Sequence, residues 1–190
     1  MSAPIAADDL RLHALLQHAR SLPPRERKEF VAGAAVEKRL REEKARLEGS
    51  LIKFFRSAWP VMDPAAYQHG WHLDAIAEHL EAVSYGQIRK LCINICPRHA
   101  KTLLCSVAWN AWAWCKPADE HYPLIGPSAK FMCLSYADPL AMDNATLARR
   151  LVESDWYQSR WGTRVQITGD QDAKNKFDTT VGGTRISGSF

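Results

Sequence analysis

A chain of 190 residues, 46% apolar and 24% charged, holds enough material for one domain with a sizeable buried core, and its composition is that of a globular protein rather than a disordered or fibrous one. No run approaches the roughly 18 consecutive apolar residues of a membrane span, and Asp8, Asp9 and Arg11 stand where a secretory leader would be apolar, so a cytoplasmic protein without membrane contact is expected. The formal net charge of +4 permits contact with nucleic acid without demanding it, because Lys and Arg are spread along the chain.

In chain order, the stretch from Pro24 to about Leu47 is dense in Arg, Lys, Glu and Ala, with Glu37 and Arg41, and Glu42 and Arg46, at the favourable i,i+4 spacing. It predicts a polar helix, either a solvated arm or a docking element for a partner subunit. Residues 1–50 are accordingly expected to form an N-terminal helical arm and residues 51–190 the domain. Leu51, Phe54, Phe55, Ala58 and Trp59 recur at helical spacing until Pro60 and Pro64 break the pattern. Leu73, Ile76, Ala77, Leu80 and Val83 define one face of a helix over about 71–83, ending before Gly86.

The run Leu91-Cys92-Ile93-Asn94-Ile95-Cys96 is apolar on both faces and predicts a strand in the middle of a parallel sheet. A helical pattern follows over about 102–115. A second strand over 131–136 leads into a helix over about 138–153, and weaker strands are expected at 164–168 and 184–187, with Gly182 and Gly183 as a turn. Two successive strand-turn-helix units predict an α/β fold with a mainly parallel sheet. The five cysteines, Cys92, Cys96, Cys105, Cys115 and Cys133, lack C-x-x-C spacing and are expected to be buried, reduced thiols.

The chemistry is expected between the first strand and its helix. A loop there presents backbone N–H groups and the positive end of the helix dipole to an anion, and Lys101 followed by Thr102 adds a cation and a hydroxyl. Lys101 would neutralise β- and γ-phosphates, and Thr102 would ligate Mg²⁺. The strict phosphate-loop pattern would place Gly at 95 and 100, where Ile95 and Ala100 stand.

The stretch Asn94-Ile95-Cys96-Pro97-Arg98-His99-Ala100-Lys101-Thr102 resembles the variant Walker A sequence of phage large terminase subunits, which commonly reads N-x-P-P-R-H-x-K-[ST]. Gly70-Trp71-His72 with His79-Leu80-Glu81, Ser135-Tyr136-Ala137 with Asp143-Asn144, Trp156-Tyr157-Gln158, Trp161-Gly162, Thr168-Gly169-Asp170-Gln171 and Gly182-Gly183-Thr184-Arg185 continue the likeness in order, over roughly residues 67–187. The resemblance implies a RecA-like P-loop ATPase core that takes ATP and Mg²⁺. It implies a ring on the portal protein that drives double-stranded viral DNA into a capsid, in the cytoplasm of a phage-infected or lysogenic bacterium, with a terminase small subunit as partner.

It also implies site residues: Lys101 and Arg98 as catalytic, Pro97, Arg98, His99, Ala100, Lys101 and Thr102 around the phosphates, Thr102 on the metal, and Gln68 on adenine within the segment Tyr67, Gln68, Trp71 and His72. Cys96 and Ala100 depart from the family, where Pro and often Gly or Met stand. The family would continue past Phe190 into a Walker B strand and a nuclease, and Asp170, Asp172 and Asp178 follow no strand of Walker B type. On this reading the chain alone hydrolyses little ATP, the RecA sheet is incomplete and leaves an unpaired edge, and a completing C-terminal chain would be a further partner.

Bland readings compete for several of these residues. Trp71 reads equally as core, and Trp109, Trp112 and Trp114 read better as core than as base-stacking groups. Arg149, Arg150, Arg160 and Arg164 form a loose basic set that suits either DNA phosphates or solvent. The alternative functions are a non-catalytic terminase fragment that binds or interferes with the packaging machinery, and an unrelated P-loop enzyme such as a small kinase, for which no acceptor-binding groups are visible.

Overall fold

The computed structural model describes residues 17–19, 21–168 and 175–189. The chain divides into two units, at Glu43 and Lys44. Helix α1, Pro24–Glu48, carries a nearly uniform polar surface, and Leu47 is its buried residue. Arg25 with Glu29, Lys38 with Glu42 and Arg41 with Glu37 pair along its exposed side. Such exposed pairs each add only a few tenths of a kcal/mol.

The second unit is built on helices whose apolar spacing is helical. Helix α2, Leu51–Met62, buries Leu51, Phe54, Phe55, Ala58 and Met62. It runs through Pro60 instead of stopping there, contrary to the sequence expectation, because a proline in the last turn forfeits one ladder bond, and Asp63 N–H still reaches Trp59 C=O at 2.9 Å. Its first N–H is capped from outside the helix, Leu51 N–H donating to Glu81 Oε1 at 2.6 Å. Helix α3, Trp71–Ser84, buries Leu73, Ile76, Ala77 and Leu80 and ends at Tyr85, with Gly86 left-handed after it.

Residues 101–115 are continuously helical. The first part is a π-helical segment, Leu103–Ala108, and the second is α4, Trp109–Cys115. Strand β1, Lys130–Ser135, leads through helices α5, Asp138–Glu153, and α6, Asp155–Trp161, to strands β2, Lys176–Asp178, and β3, Thr184–Ser189. The fold is therefore mixed α/β. The sheet order is β1-β3-β2, with β1 parallel and β2 antiparallel to β3. Phe131, Arg185 and Phe177 share a row and face the core, whereas the next row exposes Met132 and Ile186.

Further sequence expectations need correction, the first being the sheet, which is mixed rather than mainly parallel. Residues 91–96 have no regular secondary structure and join no strand ladder among the described residues. Leu91, Ile93 and Ile95 pack on the core while Cys92, Asn94 and Cys96 are exposed, so the segment has one packed face rather than two. An apolar run supplies the side chains for a strand, but a strand also needs a neighbour, and the described sheet does not include this segment. The expected strand at 164–168 reduces to a single bridge between Ile167 and Thr179. The cysteines are not uniformly buried: Cys115 is, Cys105 and Cys133 are partly so, and Cys92 and Cys96 are exposed on the unladdered segment.

The core is aromatic. Phe54 meets Trp156, Tyr157 and Trp161 with ring centroids at 5.4, 6.3 and 5.5 Å. Trp112 and Trp114 are fully buried and Trp109 is half-buried, as their helical positions predict. Four indole N–H groups are satisfied here: Trp112 donates to Leu47 C=O, Trp114 to Ala129 C=O, Trp109 to Ser84 Oγ and Trp161 to Glu48 Oε1. The buried Lys116 closes the end of α1, donating to Glu48 C=O at 3.0 Å and lying 4.2 Å from the Trp112 ring centroid.

Candidate phosphate-binding site

The loop that enters the 101–115 helix has an unusual backbone. Arg98 has φ 67° and Ala100 has φ 55°, the only non-glycine residues with positive φ among those described. Left-handed backbone costs an L-residue roughly 1–2 kcal/mol, so the loop holds two strained residues in a span of three. Alternating left- and right-handed residues turn successive N–H groups toward one side and form a concave anion nest. The concavity here has a volume of about 350 Å³ and is lined by the eight consecutive residues from Cys96 to Leu103.

Pro97, Arg98, His99, Ala100, Lys101 and Thr102 are thus brought together on one concave surface. Lys101 is half-buried at the first helical position, Thr102 is exposed beside it, and Arg98 is exposed on the loop. His99 serves the loop's own shape. Its Nδ1 lies 3.2 Å from Cys96 C=O and 2.9 Å from Pro97 C=O, and because carbonyls only accept, Nδ1 carries the proton and donates to both. The His99 ring also meets His72 of α3 edge-on at 5.3 Å between centroids, which ties the start of α3 to the loop.

Gln68 is exposed and is not among the residues lining the concavity. Trp71 is 81% exposed, so it is not a core residue. Tyr67 packs instead against Phe55 and Trp59, and its hydroxyl bonds His69 Nδ1 at 3.0 Å. Burial and Asp74 push the Tyr67 phenol above its ordinary value. Near the loop, burial pushes the Cys105 thiol up to about 11 against the pull of Lys101, which favours its protonated form at neutral pH.

No group of three or more His, Cys, Asp or Glu side chains placed to hold a metal occurs among the described residues. For Mg²⁺ the loop offers the Thr102 hydroxyl. Asp170 and Asp172 lie outside the described residues, and Asp178 sits on β2 at 3.3 Å from Lys176. Of the four arginines weighed for DNA, Arg149 pairs with Glu153 at 2.9 Å, Arg164 pairs with Glu48 at 2.9 Å, and Arg160 donates to Trp156 C=O at 2.8 Å. Arg150 is exposed.

Sequence reasoning assigned no role to Arg185, which reaches from β3 to the π-helical segment, donating to Ser106 C=O at 3.0 Å. A lone charge on the inward row of a short strand was its available signal. No helix among the described residues is long and apolar enough to cross a membrane. No protein-family model, no curated protein and no solved structure matches this chain.

Proposed function

We propose that this chain carries the phosphate-binding part of an ATP-driven DNA-packaging motor of the large terminase kind, in which residues 97–102 hold the β- and γ-phosphates. The observation that carries the reading is the loop conformation: Arg98 and Ala100, neither of them glycine, stand left-handed immediately before a lysine at a helix start. Strain at such positions persists where the surroundings impose it, and it gathers at ligand clamps. The terminase-like sequence of 94–102 supports the narrower family assignment.

The roles follow from the chemistry of each group. The nest N–H groups and the helix dipole take negative charge without reorganising. Lys101 adds a point charge, Arg98 offers a planar fork that suits phosphate oxygens, and His99 locks the turn between Cys96 and Pro97. Thr102 is the residue that would hold Mg²⁺, whose bound charge offsets that building up on phosphate oxygens. Gln68 and the exposed Trp71 are the groups available to a nucleobase on the segment that His72 links to the loop.

The test is calorimetric titration of the chain with inorganic pyrophosphate and with Mg-ATP. Lys101→Ala should weaken binding at least about tenfold, since a charge-assisted contact is worth roughly 1.5–3 kcal/mol. In a motor with its remaining catalytic groups, the same change should slow ATP turnover by at least about 100-fold. Wild-type affinity in Lys101→Ala would refute the site.

A second reading, a non-catalytic fragment that docks on the packaging machinery, is favoured by segment 91–96, which has a packed face and no ladder partner among the described residues. Phosphate release from Mg-ATP, with and without double-stranded DNA, separates the two. Steady turnover that vanishes in Lys101→Ala decides for the motor, and pyrophosphate binding without turnover favours docking.

A further inference from the structure

Arg185 is fully buried on the central strand, and its guanidinium is held by neutral groups. Nε donates to Asn110 Oδ1 at 3.3 Å, one terminal nitrogen donates to Ser187 Oγ at 2.5 Å, and the other donates to Ser106 C=O at 3.0 Å. The Cys133 thiol lies beside it, and the Phe177 ring centroid is 5.9 Å away. None of these neighbours is a carboxylate. A buried cation with no carboxylate among its described partners is an expensive arrangement in a protein interior, and burial pushes this guanidinium below its ordinary value.

The partner that gives the arrangement a purpose is Ser106. It belongs to the π-helical segment Leu103–Ala108, where Trp109 N–H reaches five residues back to Leu104 C=O. The π turn is uncommon and occurs mostly as a single widened turn at functional sites. Converting it to α-helix removes one residue from the turn, which rotates everything on its N-terminal side by about 100° relative to the helix beyond, one residue's share of a 3.6-residue turn. Lys101 and Thr102 stand on that N-terminal side, and the buried indoles of Trp112 and Trp114 anchor the other.

We infer that Arg185 is a positioning residue for the phosphate loop: by gripping the Ser106 carbonyl from the sheet, it holds the widened turn and so sets the direction in which Lys101 and Thr102 present their side chains. The inference rests on the phosphate-cradle reading of residues 97–102. It assigns a role to a side chain that touches no phosphate. The planar fork is needed because three acceptors on two elements must be met at once, which a lysine ammonium at the same site cannot do in the same geometry.

The experiment is pyrophosphate titration of the full chain as wild type, Arg185→Lys, Arg185→Met and Asn110→Ala, with Lys101→Ala as the reference for specific binding. Amide hydrogen exchange over 103–109 is followed beside it, compared with exchange over 138–153. Arg185→Lys and Arg185→Met are expected to weaken pyrophosphate binding by about tenfold, the scale of one lost charge-assisted contact, and to speed exchange over 103–109 selectively. Asn110→Ala, which keeps the charge and removes one acceptor, should shift both readouts the same way by about threefold, and it carries the test if the Arg185 variants fail to fold.

A role in stability alone would lower the melting temperature and leave the affinity of the folded protein at the wild-type value, which would overturn the inference. Wild-type affinity in Arg185→Lys would also overturn it, by showing that charge without the fork suffices. If the wild type binds no pyrophosphate, or binds it equally well as Lys101→Ala, the phosphate-cradle reading falls and this inference with it. Binding that depends on Lys101 but not on Arg185 removes only the inference.

Discussion

The loop around residues 96–102 and the aromatic core around Phe54 are organised on opposite terms. The core buries Phe54, Trp112, Trp114, Tyr157 and Trp161 completely, and the polar atoms of its large rings are bonded, Tyr157 Oη donating to Ala111 C=O at 2.9 Å. The loop is largely exposed and carries two left-handed residues, with His99 as its internal tie. The first region accumulates stability through apolar area and satisfied donors. The second departs from local preference, and its shape is imposed by the elements on either side. Backbone strain of this kind gathers at ligand clamps, which is the basis of the proposal for residues 97–102.

The sharpest way to break this contrast is a core truncation. Phe54→Ala should destabilise the chain by about 3–5 kcal/mol, because the cavity opens among rings that cannot collapse into it. Urea unfolding followed by tryptophan fluorescence measures the change. A loss below about 1 kcal/mol would mean that the cluster is loosely packed.

Relief of loop strain should act with the opposite sign and a smaller size. Ala100→Gly removes the Cβ penalty at φ 55° and should stabilise the fold by up to about 1 kcal/mol, reduced by the greater freedom glycine brings to the unfolded chain. Thermal melts of the two proteins check it. A clear destabilisation would show that Ala100 is not left-handed in solution.

The smallest effect concerns Glu81, which caps α2. Burial raises its carboxyl above the ordinary 4.5, opposed by the Leu51 N–H bond and by Lys116. A carboxyl raised in the folded state favours folding while it is protonated. That contribution is full below the unfolded value and disappears as pH rises through the folded one. Glu81→Gln keeps an oxygen for Leu51 and removes the buried charge, so stability near neutral pH should hold or rise slightly, and its slope just above pH 4.5 should flatten. Unfolding midpoints taken across that window decide, and a steeper slope in the variant would contradict the assignment.

The helices were legible in the sequence because apolar residues at i, i+3, i+4 and i+7 have one way to face a core. Leu51, Phe54, Phe55 and Ala58 on α2, and Leu73, Ile76, Ala77 and Leu80 on α3, are buried as that spacing requires. The helix over 138–153 and the strand over 131–136 fall within a residue of expectation. Strands were legible only where partners exist. Leu91, Ile93 and Ile95 read as a central strand, yet a ladder is a property of two segments, and no local pattern states whether the second is present. Pro60 misled for a related reason: its cost depends on where it falls in the helix, and the end of α2 tolerates it.

In the candidate site, the order of residue types was readable directly: a lysine and a threonine at the start of a helix, preceded by Pro97, Arg98 and His99, with residue types suited to phosphate. Their arrangement came from the rest of the fold. It set Arg98 and Ala100 left-handed against their own preference, brought His72 to His99, left Trp71 outside the core and Gln68 off the concavity, and carried Arg185 from a distant strand to the Ser106 carbonyl. The division has a physical cause. Side-chain chemistry is fixed residue by residue, whereas backbone strain and a buried, carboxylate-free cation exist only where many other contacts outweigh their cost.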